Sequence, residues 1–319
     1  MIITVTLNPA IDKTVTVGKL CPGELNKVCS SREDAGGKGI NVSKTIKSLG
    51  GKSIATGFLG GTTGIRIKYA LLEKYGIEAD FVQIDNPTRT NLKIADADGC
   101  VTEVNEPGPV VSIRECEQLE EKLRELIASG DLVILSGSLP KGIPADFYGK
   151  LTEMMKALGA SVFVDADGEA FVHAVDAKPD IMKPNLAELE RYFASEAAGM
   201  AQADETTLQR AVRLGRILRG RGVGEVLVSL GGEGAVFLCT EGDYYAPALS
   251  VRVKSTVGAG DAMVAAYAYA KDHGMPVEER IRLCIAVSAG AVTTEGTNPA
   301  DFETVKELKS GCVINRLIL

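Results

Sequence analysis

The stretch Ser255-Thr256-Val257-Gly258-Ala259-Gly260-Asp261 places two glycines and a carboxylate directly before an apolar run that predicts a helix. The glycines would form the turn at the helix N-terminus, where free backbone N–H groups and the helix dipole attract an anion. Asp261 would then accept a proton from a hydroxyl that attacks a phosphate bound to the amides of Gly258, Ala259 and Gly260. An anion site beside a carboxylate is the minimal apparatus for phosphoryl transfer. A lone motif of this kind is more often only a helix cap, so other features of the chain have to decide between a cap and a phosphoryl-transfer site.

A second glycine cluster, Gly36-Gly37-Lys38-Gly39, also precedes a predicted helix, here running from Ile40 to Leu49. Together with Lys38 and Asn41, its backbone amides would hold a polar or anionic ligand. The alternative is a flexible turn that carries a solvated lysine, and the cluster alone leaves both open.

Asn185 and Glu188 are three residues apart and fall in the first turn of another predicted helix. Such oxygen ligands suit Mg²⁺, and Lys183 just before them would add positive charge beside a nucleotide phosphate. The spacing fits a helix capping box equally well, and in isolation the cap is the better explanation.

Three further sites are weaker. The loop Ser229-Leu230-Gly231-Gly232-Glu233-Gly234 predicts either a hairpin or a close approach to a nucleotide, and its sequence alone favours the hairpin. Arg89 lies on a predicted strand from which its guanidinium would reach a phosphate, although most surface arginines are only solvated. Ser138 follows a buried strand, where a binding loop is expected.

The predicted elements explain how these loops would meet. From residue 105 onward strands and helices alternate, which predicts an α/β fold with a mostly parallel sheet covered by helices on both faces. The pattern includes a long helical region that reaches about residue 219. Ligands of such sheets lie beyond the carboxyl ends of the strands.

Two segments, residues 12–34 and 88–104, instead contain short β-prone runs broken by turn residues. They predict a small antiparallel β-sheet lid that stands apart from a core formed by residues 1–11, 35–87 and 105–319.

Composition excludes several classes of protein. The chain of 319 residues has a net charge of −7, which argues against a nucleic-acid or membrane-surface partner. We find neither a signal-peptide pattern nor an apolar run long enough for a membrane span. The 7 cysteines include no CxxC pair and indicate free thiols in a reducing cytoplasm. The 2 histidines argue against histidine metal clusters.

Four motifs occur together and in a familiar order, and the chain thereby resembles the phosphofructokinase B branch of the ribokinase-like sugar kinases. Its two signatures are similar to Gly36-Gly37-Lys38-Gly39-Ile40-Asn41-Val42 and to the stretch from Ser255 to Asp261. Lys183-Pro184-Asn185-Leu186-Ala187-Glu188 is similar to the family's NxxE magnesium motif, and Ser229–Gly234 to its nucleotide glycine loop. The agreement of all four outweighs the simpler explanation of each.

The resemblance implies a ribokinase-like fold with a lid, Mg²⁺-dependent use of ATP, and a homodimer formed through the lid. It implies a ketohexose phosphate as acceptor, since Thr6–Asp12 and Arg89-Thr90-Asn91 are similar to kinases of phosphorylated ketohexoses. The segment Glu103–Pro109 favours fructose 1-phosphate, with C6 as the phosphorylated position, over tagatose 6-phosphate. A sensor of sugar phosphates without catalytic activity is a further alternative, which the intact Asp261 disfavours.

The resemblance also implies roles for particular residues. Asp12 and Asn41 would bind sugar hydroxyls, and Lys38 and Arg89 would lie near the phosphate of the substrate. Asn298 would lie in the loop on the adenine side. The family's site for a monovalent cation has an aspartate six residues before the base, where this chain has Ser255, so the need for such a cation stays open.

Overall fold

The computed structural model describes residues 1–194 and 205–317. The strands are β1 (Ile2–Thr6), β2 (Ala10–Val17), β3 (Val28–Gly36), β4 (Ser53–Gly60), β5 (Glu78–Ala79), β6 (Val82–Ile84), β7 (Arg89–Ala95), β8 (Val101–Asn105), β9 (Leu132–Ser136), β10 (Ser161–Asp165), β11 (Ile181–Met182), β12 (Glu225–Ser229), β13 (Ala235–Cys239), β14 (Gly242–Ala246) and β15 (Asn315–Arg316). The α-helices are α1 (Lys38–Ser48), α2 (Gly61–Tyr69), α3 (Ile113–Leu126), α4 (Phe147–Ala157), α5 (Gly168–Asp176), α6 (Leu186–Tyr192), α7 (Thr207–Gly220), α8 (Ala259–Asp272), α9 (Val277–Ala291) and α10 (Phe302–Ser310).

The large sheet has the strand order β15-β14-β13-β12-β11-β10-β9-β1-β4-β5, with β6 beside the end of β4. Pairing is parallel from β12 through β5, and antiparallel pairing begins only at the β12–β13 hairpin. The predicted mostly parallel sheet is therefore confirmed.

Helices cover both faces of this sheet because its central strands are apolar on both sides. In β9, Val133 and Leu135 join the hydrophobic cluster that includes α3, α4 and α7. Leu132 and Ile134 join the opposite cluster, which includes α8 and α9. A strand buried on both faces is typical of a parallel sheet in an α/β fold. Among the described residues, no helix combines the length and apolarity needed to cross a membrane.

A separate four-stranded sheet has the order β3-β2-β7-β8, and we call it the small sheet. Strand β2 pairs antiparallel with β3 but parallel with β7, so the sheet is mixed and the prediction of a purely antiparallel sheet was wrong. The reason is that β2 and β7 come from separate segments of the chain, which no hairpin constrains to run in opposite directions.

Several element bounds differ from those that the sequence predicted. Strand β2 begins at Ala10, since pairing with β3 and β7 extends it beyond its β-branched residues. Helix α5 was not predicted, because it is short and begins at Gly168 with no side-chain cap. The long helical region predicted to reach residue 219 contains α6 and α7, and its middle, residues 195–204, lies outside the described residues.

Candidate active site

The N-terminus of α8 carries the glycine motif, as predicted. Gly258 precedes the helix with φ 87°, a left-handed conformation that favours glycine. Within the described part of the chain no side chain caps this N-terminus, and the Ala259 amide has only a long 3.5 Å bond to the Thr256 carbonyl. These amides can therefore turn to an anion.

Asp261 lies in the first turn of α8 and is buried. Its Oδ2 accepts a 2.9 Å hydrogen bond from Nδ2 of Asn41, which fixes the orientation of the carboxylate. Burial raises the pKa of Asp261 to about 6, and repulsion from Asp165 adds to the rise, although Lys38 and Asn41 oppose it. At neutral pH the group is a desolvated carboxylate that can accept a proton.

Helix α1 places a second glycine cluster beside the first. Gly37 precedes the helix at φ 117°, and Lys38 is its first residue. Asn41, one turn further along, provides the bond to Asp261. The two predicted signatures, more than 200 residues apart in the chain, therefore meet at the same site.

The Lys38 ammonium faces the Asp165 carboxylate at 3.5 Å, and Lys183 faces the other oxygen of Asp165 at 3.2 Å. Asp165 is almost completely buried, which would raise its pKa, but the two ammonium groups hold the pKa below its usual value. Burial lowers the pKa of Lys38, but nearby carboxylates, chiefly Asp165, outweigh burial and hold it above its usual range. Both cations are thus fixed beside Asp261.

Asp165 was not among the residues predicted for the site. It is the last residue of β10, and Ser136 Oγ of the neighbouring strand donates to its Oδ2 at 3.3 Å. The available signal was its place at the carboxyl end of a buried parallel strand, where polar side chains commonly face a ligand.

Asn185 and Glu188 form the capping box that was the simpler of the two explanations. Asn185 Oδ1 accepts from the Glu188 amide and Glu188 Oε2 accepts from the Asn185 amide, both at 2.8 Å. The cap uses one carboxylate oxygen of Glu188 and leaves Oε1 outside the box. The two side chains are therefore held at the carboxyl edge of β11, beside Lys183.

The Ser229–Gly234 loop is a hairpin between β12 and β13, as the sequence alone favoured. Its Ser229 amide donates to the Pro184 carbonyl, so the hairpin lies next to the Lys183–Glu188 segment. A Cβ at Gly234 would lie 2.1 Å from the Ala246 carbonyl oxygen, so backbone packing already explains this glycine.

Asn298 lies in the loop between α9 and α10, where its Nδ2 donates to the Glu295 carbonyl at 3.1 Å. The neighbouring Thr297 packs close to Gly258, since a Cβ there would lie 3.6 Å from Thr297. The loop therefore borders the N-terminus of α8.

The remaining predicted residues surround the base of the small sheet. Asp12 on β2 is nearly buried, and a Cβ at Gly36 would come within 2.7 Å of its Oδ2. Arg89, the first residue of β7, donates to the carbonyls of Asn8 and Glu106. Asn8 Nδ2 in turn donates to Ser138 Oγ at 3.2 Å, so Arg89 and Ser138 lie on either side of Asn8.

A cavity of about 680 Å³ opens between the small sheet and the loops at residues 253–257 and 295–296. Lys93 and Thr14 line it from the sheet, and Ser255 and Thr256 from the core. Its lining does not include Asp261 but includes Val257, the residue directly before the Gly258 turn, so the cavity reaches the loop that leads into α8.

The whole chain is similar to proteins of known family. The family described as "pfkB family carbohydrate kinase" matches residues 5–304. A curated relative from Bacillus subtilis (strain 168), named 1-phosphofructokinase, is 36% identical over 317 residues, which cover 99% of this chain and 100% of the relative.

Two solved structures have a similar fold. Phosphofructokinase-2 from Escherichia coli in complex with potassium matches with a TM-score of 0.89 at 28% identity, covering 97% of this chain and 98% of the other. Ribokinase from Thermotoga maritima matches with a TM-score of 0.76 at 21% identity, covering 97% and 99%, and shows that the fold is ribokinase-like.

Proposed function

Because the chain belongs to the pfkB family of carbohydrate kinases, we propose that it transfers the γ-phosphate of ATP to the C6 hydroxyl of fructose 1-phosphate. The products would be fructose 1,6-bisphosphate and ADP. The observation that carries the chemistry is the buried Asp261 carboxylate, with a pKa of about 6, at the uncapped N-terminus of α8.

In this reaction the C6 oxygen forms a bond to the γ-phosphorus, and the bond from phosphorus to the ADP oxygen breaks. Asp261 accepts the hydroxyl proton as the new bond forms, and Asn41 holds the carboxylate in place. Fructose 1-phosphate bound with its C6 hydroxyl against Asp261 would lose little orientational freedom in the transition state.

The amides of Gly258, Ala259, Gly260 and Asp261 would hold the transferred phosphoryl group, since the helix N-terminus attracts negative charge. Lys38 and Lys183 would add two positive charges at this point. Their shared partner Asp165 fixes both ammonium groups before the substrate arrives, so little reorganisation is needed during the reaction.

On the sugar side, Asp12, Asn41 and the amides of Gly36 and Gly37 would bind hydroxyl groups. Arg89 and Ser138 would bind the phosphate that the sugar already carries. Arg89 suits this role because its guanidinium is held by two backbone carbonyls and its planar donors match a phosphate.

Residues from four loops would hold ATP at the opposite side of α8: Lys183, Asn185, Ser229, Gly231, Gly234, Gly258, Gly260 and Asn298. The donor set also fits Mg²⁺, because Glu188 Oε1 lies outside the capping box and is a charged oxygen of the kind that Mg²⁺ prefers. Asn185 and Glu188 would hold the ion largely through its waters. When bound, Mg²⁺ would neutralise charge on the ATP phosphates.

Tagatose 6-phosphate is the alternative acceptor, and the relative named 1-phosphofructokinase favours fructose 1-phosphate over it. The alternative of a sensor without catalytic activity has lost its support, since the chain belongs to a family of carbohydrate kinases. We further propose a cytoplasmic location, which the free state of all seven cysteines supports.

The test is a coupled assay of ADP release with fructose 1-phosphate, tagatose 6-phosphate, fructose 6-phosphate and fructose. We expect fructose 1-phosphate to have the highest kcat/KM. Arg89→Ala should shrink its advantage over fructose by ~10-fold or more, because a charge-assisted phosphate contact is lost.

Arg124→Ala, on the exposed side of α3, is the matched control and should change nothing. Higher kcat/KM with tagatose 6-phosphate would establish the alternative acceptor. Equal use of free fructose would show that the phosphate-site argument is wrong.

A further inference from the structure

A row of charges crosses three strands on the side of the small sheet that faces the core. Asp12 is on β2, Lys93 on β7, and Glu103 lies opposite Lys93 on β8. Lys93 Nζ is 3.6 Å from Asp12 Oδ2 and 4.0 Å from Glu103 Oε1. The ammonium therefore links the carboxylate proposed to bind the sugar to a more exposed one.

Lys93 is unlike an ordinary surface lysine. It is 8% exposed and lines the cavity between the small sheet and the core. A buried ammonium costs free energy unless a partner compensates it. Asp12 is the nearer partner and its side chain is 12% exposed, whereas the side chain of Glu103 is 39% exposed and its charge is screened by water. The electrostatic balance of Lys93 therefore rests chiefly on Asp12.

Asp12 is correspondingly restrained on several sides. Its Oδ1 accepts a 3.0 Å hydrogen bond from Asn91 Nδ2, while its Oδ2 faces Lys93. The backbone of Gly36 closes off a third side. A carboxylate accepts about four hydrogen bonds, so positions remain for sugar hydroxyls, but only in the orientation that these neighbours impose.

We propose that Lys93 is a positioning residue for the sugar, holding Asp12 in the one orientation from which its free lone pairs meet two hydroxyls of the ketohexose. This inference rests on the proposed function, since it takes Asp12 as a sugar ligand. Among the described residues, the ion pairs of Lys93 are with Asp12 and Glu103 and not with residues of the proposed phosphoryl site or the nucleotide loops. Its loss should therefore weaken binding of the sugar phosphate and leave ATP binding and the chemical step nearly intact.

The same geometry makes Lys93 a determinant of specificity. Ketohexose phosphates that differ in the configuration of one hydroxyl differ in how that hydroxyl meets a fixed acceptor. An Asp12 carboxylate that can rotate would accept both configurations. Loss of Lys93 should thus reduce the preference between epimeric ketohexose 1-phosphates as well as the affinity for the better one.

The experiment measures KM and kcat for fructose 1-phosphate, for its C4 epimer tagatose 1-phosphate, and for ATP. Lys93→Met keeps the length of the side chain and removes its charge. We expect KM for fructose 1-phosphate to rise ~10-fold or more, with kcat changed less than ~3-fold and KM for ATP unchanged. Lys93→Arg should restore most of the affinity.

Lys13→Met is the matched control, since Lys13 is likewise a lysine of the small sheet, on β2, and pairs with Glu33 at 3.7 Å, but its side chain is 41% exposed. It should have the KM of the unchanged protein. Melting temperatures of all variants separate loss of fold from loss of binding.

An unchanged KM for fructose 1-phosphate in Lys93→Met would overturn the inference, as would an equal rise in KM for ATP. If Lys93→Met does not fold, Lys93→Gln replaces it; if that variant does not fold either, Lys93 is purely structural and the proposal is wrong. Failure of the proposed function looks different, because the unchanged protein would then not phosphorylate fructose 1-phosphate at all.

Discussion

A carboxylate that acts as a base has to be both ionised and poorly solvated, and Asp261 meets both conditions. Burial raises the pKa of Asp261, while the ammonium groups of Lys38 and Lys183 and the Asn41 amide favour the ionised form. The balance leaves the pKa near 6, close enough to neutral pH for efficient proton transfer. The cations proposed to hold phosphate thus also tune the proposed base.

The pH dependence of catalysis should report this pKa. We expect kcat/KM to fall about tenfold per pH unit below pH ~6, because protonated Asp261 cannot accept the hydroxyl proton. Asp261→Asn should lower kcat at least ~10²-fold while both substrates still bind. A variant with near-normal kcat would show that Asp261 is not the base.

The free energy of unfolding should depend on pH in the opposite way to kcat/KM: it should fall as the pH rises. The pKa of Asp261 is near 6 in the folded protein and ~3.9 in the unfolded chain, so the folded state binds more protons between these values. The ionised group therefore destabilises the fold above pH ~6. Asp261→Asn should raise the free energy of unfolding at pH 8 by on the order of 2 kcal/mol, measured by urea denaturation.

At the scale of elements, the described helix N-termini divide according to how their amides are satisfied. Helices α3, α6 and α7 have complete capping boxes, and α10 has an aspartate cap. The other described helices have no side-chain cap: α1, α2, α4, α5, α8 and α9. Of these, α1 and α8 begin at glycines and point into the proposed site. An uncapped N-terminus is less stable by itself, but it leaves donors for an anion.

In helix α6 the two residues of the cap are also the proposed ligands of Mg²⁺. Glu188→Gln should preserve the cap, because α7 already uses Gln209 at the equivalent position of its own capping box. We expect an unchanged melting temperature together with a several-fold higher Mg²⁺ concentration for half-maximal activity, since a charged oxygen near the ion is lost.

Glu115→Gln in the capping box of α3 provides the control, because that box is not part of the proposed site. It should leave the Mg²⁺ titration unchanged. The same titration curve for Glu188→Gln and the unchanged protein would mean that Asn185 and Glu188 only cap the helix.

At the scale of the whole molecule, the small sheet is joined to the core by charged contacts at its base and across the cleft. Arg32 on β3 pairs with Glu295 of the core loop at 3.1 Å. Lys44 of α1 donates to the Ala35 carbonyl, and burial lowers the pKa of this lysine to about 8. These contacts add to the apolar packing of Ile11 and Ala35, at the base of the small sheet, against the core.

The far part of the small sheet is exposed, and this surface supports the proposed homodimer. Strand β8 is exposed throughout, and Val28 and Val104 are each 55% exposed. Two small sheets packed together would cover these edges and apolar side chains. Light scattering at micromolar concentration should give twice the 33.6 kDa of the chain.

Val104→Glu should shift the protein toward the monomer, because it would bury a charge in the proposed interface. Val172→Glu, at a comparably exposed valine on α5 of the core, should leave the dimer unchanged. A mass of 33.6 kDa for the unchanged protein would contradict the homodimer.

The sequence by itself determined the fold class and most of the proposed site, because both depend on local patterns. Alternating apolar strands and amphipathic helices specify a parallel sheet with covered faces. Glycines before Lys38 and before Asp261 mark helix N-termini that approach a ligand closely. Each of these signals lies within a few neighbouring residues, so it can be recognised in the sequence without knowledge of the tertiary contacts.

Only the tertiary structure decided which side chains act on one another. Asp165 carries only the weak signal of its place at the end of a buried strand, and Lys93 occupies an ordinary strand position. Their importance arises from partners distant in the chain, Lys38 and Lys183 for Asp165 and Asp12 for Lys93. The parallel pairing of β2 with β7 was misjudged for the same reason. Burial and charge pairing across strands are properties of the folded packing, and the sequence pattern around each residue does not contain them.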